Sequence, residues 1–113
     1  MPTIPENTRL LVLQRVRDRA RERWPDLADV AVRTRGSFAY LDGITRDGET
    51  LRLCRLRYLH SAAVWGFAIY LASREGYEES VLPTGRPAGS PEDALDCACG
   101  LYFNDPTAWL PDA

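Results

Sequence analysis

Cys54, His60, Cys97 and Cys99 are the residues of this 113-residue chain whose side chains most readily ligate metals or take part in nucleophilic chemistry. Their spacing argues against both roles. On a helix, Cys97 and Cys99 diverge by about 200° at 3.6 residues per turn, and Cys54 and His60 stand about 20 Å apart along an extended strand. Zinc sites usually pair cysteines with two to four residues between them, whereas Cys97 and Cys99 have one. No metal is therefore expected, and the thiols read as small buried hydrophobes. His60 is the only histidine, and Ser61 beside it points to the opposite face of a strand, so no nucleophile–base pair is formed. Carboxylates such as Glu78, Glu79, Asp93 and Asp96 offer no singled-out acid/base pair. The loop from Gly85 to Ser90 opens a helix, where backbone amides can cradle an anion. Its glycine spacing fits neither a P-loop nor a dinucleotide fingerprint, and Glu92 and Asp93 would repel phosphate there. No catalytic residue and no cofactor is assigned, and a non-enzymatic role is expected.

The arginines form the remaining constellation. All 14 basic residues are arginine. A GC-rich genome accounts for the residue type, which leaves placement as the informative feature. From Met1 to Arg57, arginines outnumber Asp and Glu by 12 to 8; from Tyr58 onward the acids lead by 8 to 2, for a net charge of −2. A basic half and an acidic half suit either a polyanion-binding face or two halves that pair with each other. Arg33, Arg35, Arg55 and Arg57 are the candidates for binding nucleic acid or another anion, with Arg52 and Tyr58 as extensions. They are expected on adjoining strands of a hairpin turning near Arg46 and Asp47, with nearby tyrosines able to stack on bases. Neutralisation by Glu75, Glu78 and Glu79, internally or across a dimer, is the preferred alternative, because the overall charge is negative and no nucleic-acid motif is present.

These residues need elements to hold them. Thr3 and Glu6 have capping-box spacing, and Leu10, Leu13, Val16, Ala20 and Trp24 recur at helical intervals up to Pro25, with Arg15 to Arg23 on solvated faces. A long strand from Val30, bent at Gly36, carries Val32, Phe38 and Tyr40 on one parity and Arg33 and Arg35 on the other. The turn Thr45-Arg46-Asp47-Gly48 leads to a second strand, Glu49 to Leu59, with a bulge near Leu53 and Cys54 where the apolar parity slips. Val64 to Ala72 is apolar on both parities, as in a central strand covered on both faces. The turn Arg74-Glu75-Gly76 and a short strand from Tyr77 to Leu82 follow, and then an irregular loop from Pro83 to Pro91. Ser90-Pro91-Glu92-Asp93 starts a second helix. Its apolar face is Ala94, Leu95, Ala98, Leu101 and Tyr102; Asn104-Asp105-Pro106 ends it, and Trp109 and Leu110 fold back on the body.

The predicted fold is α+β: an N-terminal helix, an antiparallel meander of about four strands, and a C-terminal helix packed on the sheet, in one domain over residues 1–113. The odd cysteine count points to a reducing compartment. No secretory signal opens the sequence, and Leu59 to Ala72 is shorter than the roughly 20 residues that cross a bilayer. A cytoplasmic protein away from membranes is expected.

Residues 65–103 resemble the core of HicB-type antitoxins. The likeness is carried by an apolar strand, a strand ending Val81-Leu82-Pro83, and the helix start Gly89-Ser90-Pro91-Glu92-Asp93-Ala94-Leu95. It implies a small sheet backed by a helix that neutralises a toxin protein by direct contact. The long N-terminal helix is extra to that pattern, and operator binding is not carried over. The whole chain also resembles small proteins of GC-rich bacteria, which implies no function. A binding or protein-interaction module follows, in a homodimer or with another protein; Trp65, Phe67 and Ile69 are the interface candidates because their doubly apolar strand needs a cover. A nucleic-acid binder using the arginine face is the alternative, and an enzyme is third.

Overall fold

A computed structural model of the chain describes residues 3–61, 63–71, 73–80, 82, 85–86 and 88–103. Helix α1 (Glu6–Arg23) is followed by β1 (Leu27–Arg35), β2 (Phe38–Thr45), β3 (Thr50–Tyr58), β4 (Trp65–Leu71), β5 (Gly76–Glu79), β6 (Ala88–Gly89) and α2 (Pro91–Tyr102). The first five strands form an antiparallel meander in chain order, and β6 pairs with β4 at Trp65 and Gly66. The α+β architecture is the one that the sequence predicts. The segment Asn104 to Leu110 lies outside the described residues.

The strand expected to bend at Gly36 is instead a hairpin. Arg35 pairs with Phe38 across the two residues Gly36 and Ser37, and Gly36 takes φ 60°. A two-residue loop with glycine in the left-handed region at its first position matches the right-handed twist of the strands it joins. The consequence is a change of parity. Val32 pairs with Leu41 and Arg33 with Tyr40, so Phe38 and Tyr40 leave the face of Val32 and join the arginines. The next hairpin, around Arg46 to Gly48, and the bulge in β3 follow the sequence pattern. Leu41 pairs with Cys54 but Asp42 with Arg52, which makes Leu53 the extra residue. Leu53 is buried beside Gly43, where a Cβ would lie 2.9 Å from Leu27 Cδ2 and 3.2 Å from Leu53 Cδ1.

One face of the sheet carries the core. Val30, Val32, Ala39, Leu41, Cys54, Leu56, Trp65 and Phe67 pack there against Val12, Val16 and Ala20 of α1 and Ala94, Leu95 and Ala98 of α2. The buried stripe of α1 is thus Val12-Val16-Ala20, at intervals of four, while Leu10 is exposed. Likewise Leu101 and Tyr102 of α2 are exposed. The expected capping box is not formed: Pro5 is the N-cap, without a side-chain hydrogen bond. In α2, Ser90 caps as its sequence indicates, its hydroxyl accepting from the Asp93 N–H at 3.1 Å.

Arg17 and Arg21 of α1 are exposed, as a solvated face requires, but Arg15, Arg19 and Arg23 are not part of such a face. Arg15, Arg19 and Arg23 form a stripe of period four next to the buried one, and they meet the period-four stripe Glu92 and Asp96 of α2. Arg15 pairs with Glu92 at 2.8 Å, Arg19 with Asp96 at 2.7 Å and Arg23 with Asp96 at 3.1 Å. Asp96 is buried, and its other oxygen accepts from Trp24 Nε1 at 2.9 Å. Trp24 in turn stacks on Phe103 at 6.0 Å. These contacts run in the same order along both helices, so α1 and α2 lie parallel, with like dipole ends together; the cross-helix charge pairs offset that repulsion. Part of the basic-half, acidic-half division is therefore an internal match between helices.

Removing a buried carboxylate strands the donors that it satisfies. Asp96→Ala is expected to lower unfolding free energy by about 2–4 kcal/mol, read from urea denaturation, whereas Asp18→Ala, on the exposed part of α1, changes it by less than about 1 kcal/mol.

Candidate binding face

Both helices occupy one side of the sheet, so among the described residues its other face has no helix over it. Directly paired residues share a face, and the registers give this open face row by row. One row is Arg33 (β1), Tyr40 (β2), Arg55 (β3), Ala68 (β4) and Glu79 (β5); the next is Arg35, Phe38, Arg57 and Gly66. Towards the other end, Asp42 pairs with Arg52 and Tyr70 with Tyr77. The four candidate arginines do share a face, but not adjoining strands: β2 separates the two pairs and inserts Phe38 and Tyr40 between them.

The guanidinium groups lie on the rings. Arg33 Cζ is 5.1 Å from the Tyr40 centroid, Arg55 Cζ 4.4 Å from Phe38 and 5.8 Å from Tyr77, and Arg52 Cζ 5.7 Å from Tyr70. Tyr77 meets Tyr40 and Tyr70 edge to face, each at 5.2 Å. Such cation–π contacts are each worth about 0.5–1 kcal/mol when exposed and more when desolvated. They fix the position of three of the five guanidinium groups on the face. Five arginines stand here against Asp29, Asp42 and Glu79, and Asp29 is held from the sheet edge by Arg17 of α1 at 2.9 Å.

Charge matching is uneven across the four candidates. Arg33 donates to Asp42 from Nε at 2.8 Å, and Arg55 approaches Glu79 at 3.6 Å. Arg35 and Arg57 are exposed and have no ion-pair partner among the described residues. Of the acids expected to neutralise the face, Glu79 contributes, while Glu78 pairs with Arg74 at 3.5 Å in its own turn. Tyr77 is half-buried beside Arg33 and Asp42, and its hydroxyl has no hydrogen bond of normal geometry. Burial, reinforced by the Asp42 charge, raises its phenol above the ordinary value of 10.0.

Trp65 and Phe67, the interface candidates, are only 1% exposed. They point to the helix side, and Ile69 packs partly buried against the same core. Their strand is apolar on both parities because its other side carries Gly66 and Ala68, small residues over which arginines lie. Tyr58 also faces the core side, 5.3 Å from Trp65. Cys54, Cys97 and Cys99 are buried free thiols; burial pushes the Cys54 and Cys99 thiols well up, which keeps them protonated. Among the described residues no three potential ligands gather as a metal site. His60 is exposed at the end of β3 with φ 65°, and the Ser61 hydroxyl accepts from the Ala63 N–H at 3.1 Å.

No protein-family model, curated protein or solved structure matches this chain. Among the described residues no helix is long and apolar enough to cross a membrane. The face itself is thus the ground for a functional reading. Of its residues, sequence reasoning missed Phe38, Tyr40 and Tyr70 as companions of the arginines; the signal was the Gly36-Ser37 pair, a two-residue hairpin loop that switches parity.

Tyr77→Phe removes from a half-buried residue a hydroxyl that makes no hydrogen bond of normal geometry among the described residues. It is expected to be neutral or stabilising by up to about 1 kcal/mol in thermal or urea unfolding. Because the folded-state value is raised, the neutral phenol's contribution is complete below pH 10 and is lost as pH rises through the folded value. The wild type is therefore expected to lose more stability in alkali than Tyr77→Phe.

Proposed function

We propose that this chain is a small non-enzymatic binding module whose open sheet face receives a negatively charged partner. The observation that supports it most directly is the composition of that face: five arginines, of which Arg33, Arg52 and Arg55 lie against aromatic rings, and of which Arg35, Arg52 and Arg57 have no ion-pair partner among the described residues. Arginine and tyrosine are also the residue types that dominate binding hot spots in protein interfaces. The module is best read as contacting a different molecule, since a two-fold contact through this face would set the arginine rows against their own copies. Like charges opposed in an interface cost several kcal/mol. With Trp65 and Phe67 buried in the core, the apolar motive for self-association through them is gone.

A protein, such as the toxin that the HicB resemblance implies, and a nucleic acid are the two partner classes. The second reading is favoured by the rings, which supply stacking planes that a carboxylate-rich protein surface does not need.

Retention on immobilised heparin at low salt tests the reading against the acidic isoelectric point of about 5.4. The wild type is expected to be retained and released by salt, and replacement of Arg33, Arg35, Arg55 and Arg57 together by Ala to abolish retention with the far-ultraviolet spectrum unchanged. Replacing Arg9 and Arg21 of α1 should have little effect. A wild type that flows through, or equal loss from the α1 variant, rejects the open face as the site.

A further inference from the structure

The row at the Gly36 end of the open face differs from its neighbour. Arg35, Phe38, Arg57 and Gly66 follow one another across four strands. Arg55 reaches into this row from the next one, with Cζ 4.4 Å from the Phe38 centroid and its side chain only 21% exposed. Arg57 lies over Gly66: a Cβ at position 66 would sit 3.2 Å from both its Cβ and its Nε. The absent side chain thus makes a bed for the Arg57 stem and guanidinium, against the backbone of β4. Arg35 and Arg57, on alternate strands, are about 9.5 Å apart at the backbone. At Phe38 itself the guanidinium is that of Arg55, with Arg35 and Arg57 paired to Phe38 on either side, and the carboxylate approaching Arg55 is Glu79 at 3.6 Å. The other end of the face is built differently, with Arg33 and Arg52 planes over Tyr40 and Tyr70.

We infer that this face binds single-stranded nucleic acid, with Arg35 and Arg57 taking backbone phosphates and the ring-backed planes of Arg33 and Arg52 taking bases. The inference rests on the open-face reading and assigns the partner class within it. Arginine's planar fork contacts phosphate oxygens bidentately, and Arg35 and Arg57 are the two arginines of the face with neither a carboxylate partner nor an aromatic-ring contact among the described residues. Guanidinium planes and aromatic rings both stack with unpaired bases. A duplex hides its bases within the stack, so a flat face with stacking planes suits a single strand. Gly66 is then a positioning residue, because it allows Arg57 to lie flat.

Fluorescence anisotropy with the full chain tests this, using a labelled single-stranded oligonucleotide of mixed sequence, the same sequence as a duplex, and a phosphoserine-containing acidic peptide. The single strand is expected to bind most tightly. Arg35→Ala with Arg57→Ala should weaken it about tenfold and flatten the dependence of log affinity on log salt by about 1.4, the contribution of two single-strand phosphates. Arg33→Ala with Arg52→Ala should weaken binding with a smaller change in that slope. Gly66→Ala should act in the direction of Arg57→Ala, and an unchanged circular dichroism spectrum in each variant would show that the fold is kept. Tighter binding of the duplex or of the peptide overturns the assignment of a single strand. If the Arg35 and Arg57 double variant binds as the wild type does while the fourfold variant loses heparin retention, the face still binds anions but the assigned phosphate row is wrong.

Discussion

Asp96 is a buried carboxylate with two arginines and an indole N–H around it, and the arrangement of the molecule turns on it. A carboxylate out of water is costly unless its lone pairs are filled. Here Arg19, Arg23 and Trp24 fill them, and all three come from α1 and the residue that follows it. Satisfying Asp96 therefore requires α1 to lie beside α2, in one direction and at one register. Arg15 and Glu92 extend the same contact by one helical turn. With the helices clasped together on the core face, neither lies over the other side of the sheet.

That other side carries neither α1 nor α2, and its aromatic rings are covered locally by neighbouring side chains. Phe38, Tyr40, Tyr70 and Tyr77 would form an apolar patch if bare. Arginine stems and planes lying over them hide ring surface from water while keeping charge at the surface. Asp42 and Glu79 balance Arg33 and Arg55, so the excess charge is concentrated on Arg35, Arg57 and Arg52. At the outer edge of β1, Arg17 and Asp29 engage the backbone of Val30, its carbonyl at 3.3 Å and its N–H at 2.8 Å. Side chains that occupy edge groups discourage pairing with a further strand, which leaves the face rather than the edge as the surface open to a partner.

The order of elements and the second helix's start were legible because their signals are local. Ser90-Pro91-Glu92-Asp93 is a cap that works whatever it packs against, and the parity slip at Leu53-Cys54 marks a bulge directly. Three features depended on tertiary context. In sequence the Gly36 turn looks like a bend, which puts Phe38 and Tyr40 on the wrong face although it sets Arg33 and Arg35 opposite Val32 correctly. The doubly apolar β4 looks in need of an external cover, whereas Trp65 and Phe67 have α2 and Gly66 and Ala68 are paired with arginines. The stripe Arg15-Arg19-Arg23 looks solvated, since its meaning appears only beside the matching stripe Glu92-Asp96, more than seventy residues away. The candidate arginines were found from alternation alone, but the rings that orient them were not.

Side-chain nuclear magnetic resonance of the arginine Nε–H groups, followed while a single-stranded oligonucleotide is added, tests the central claim most directly. The signals of Arg33, Arg35, Arg52, Arg55 and Arg57 are expected to shift together, Arg35 and Arg57 most, while those of Arg15, Arg19 and Arg23 stay in place in their clasp with α2. Shifts confined to α1, or no shift in the strand arginines at saturating oligonucleotide, would contradict the account.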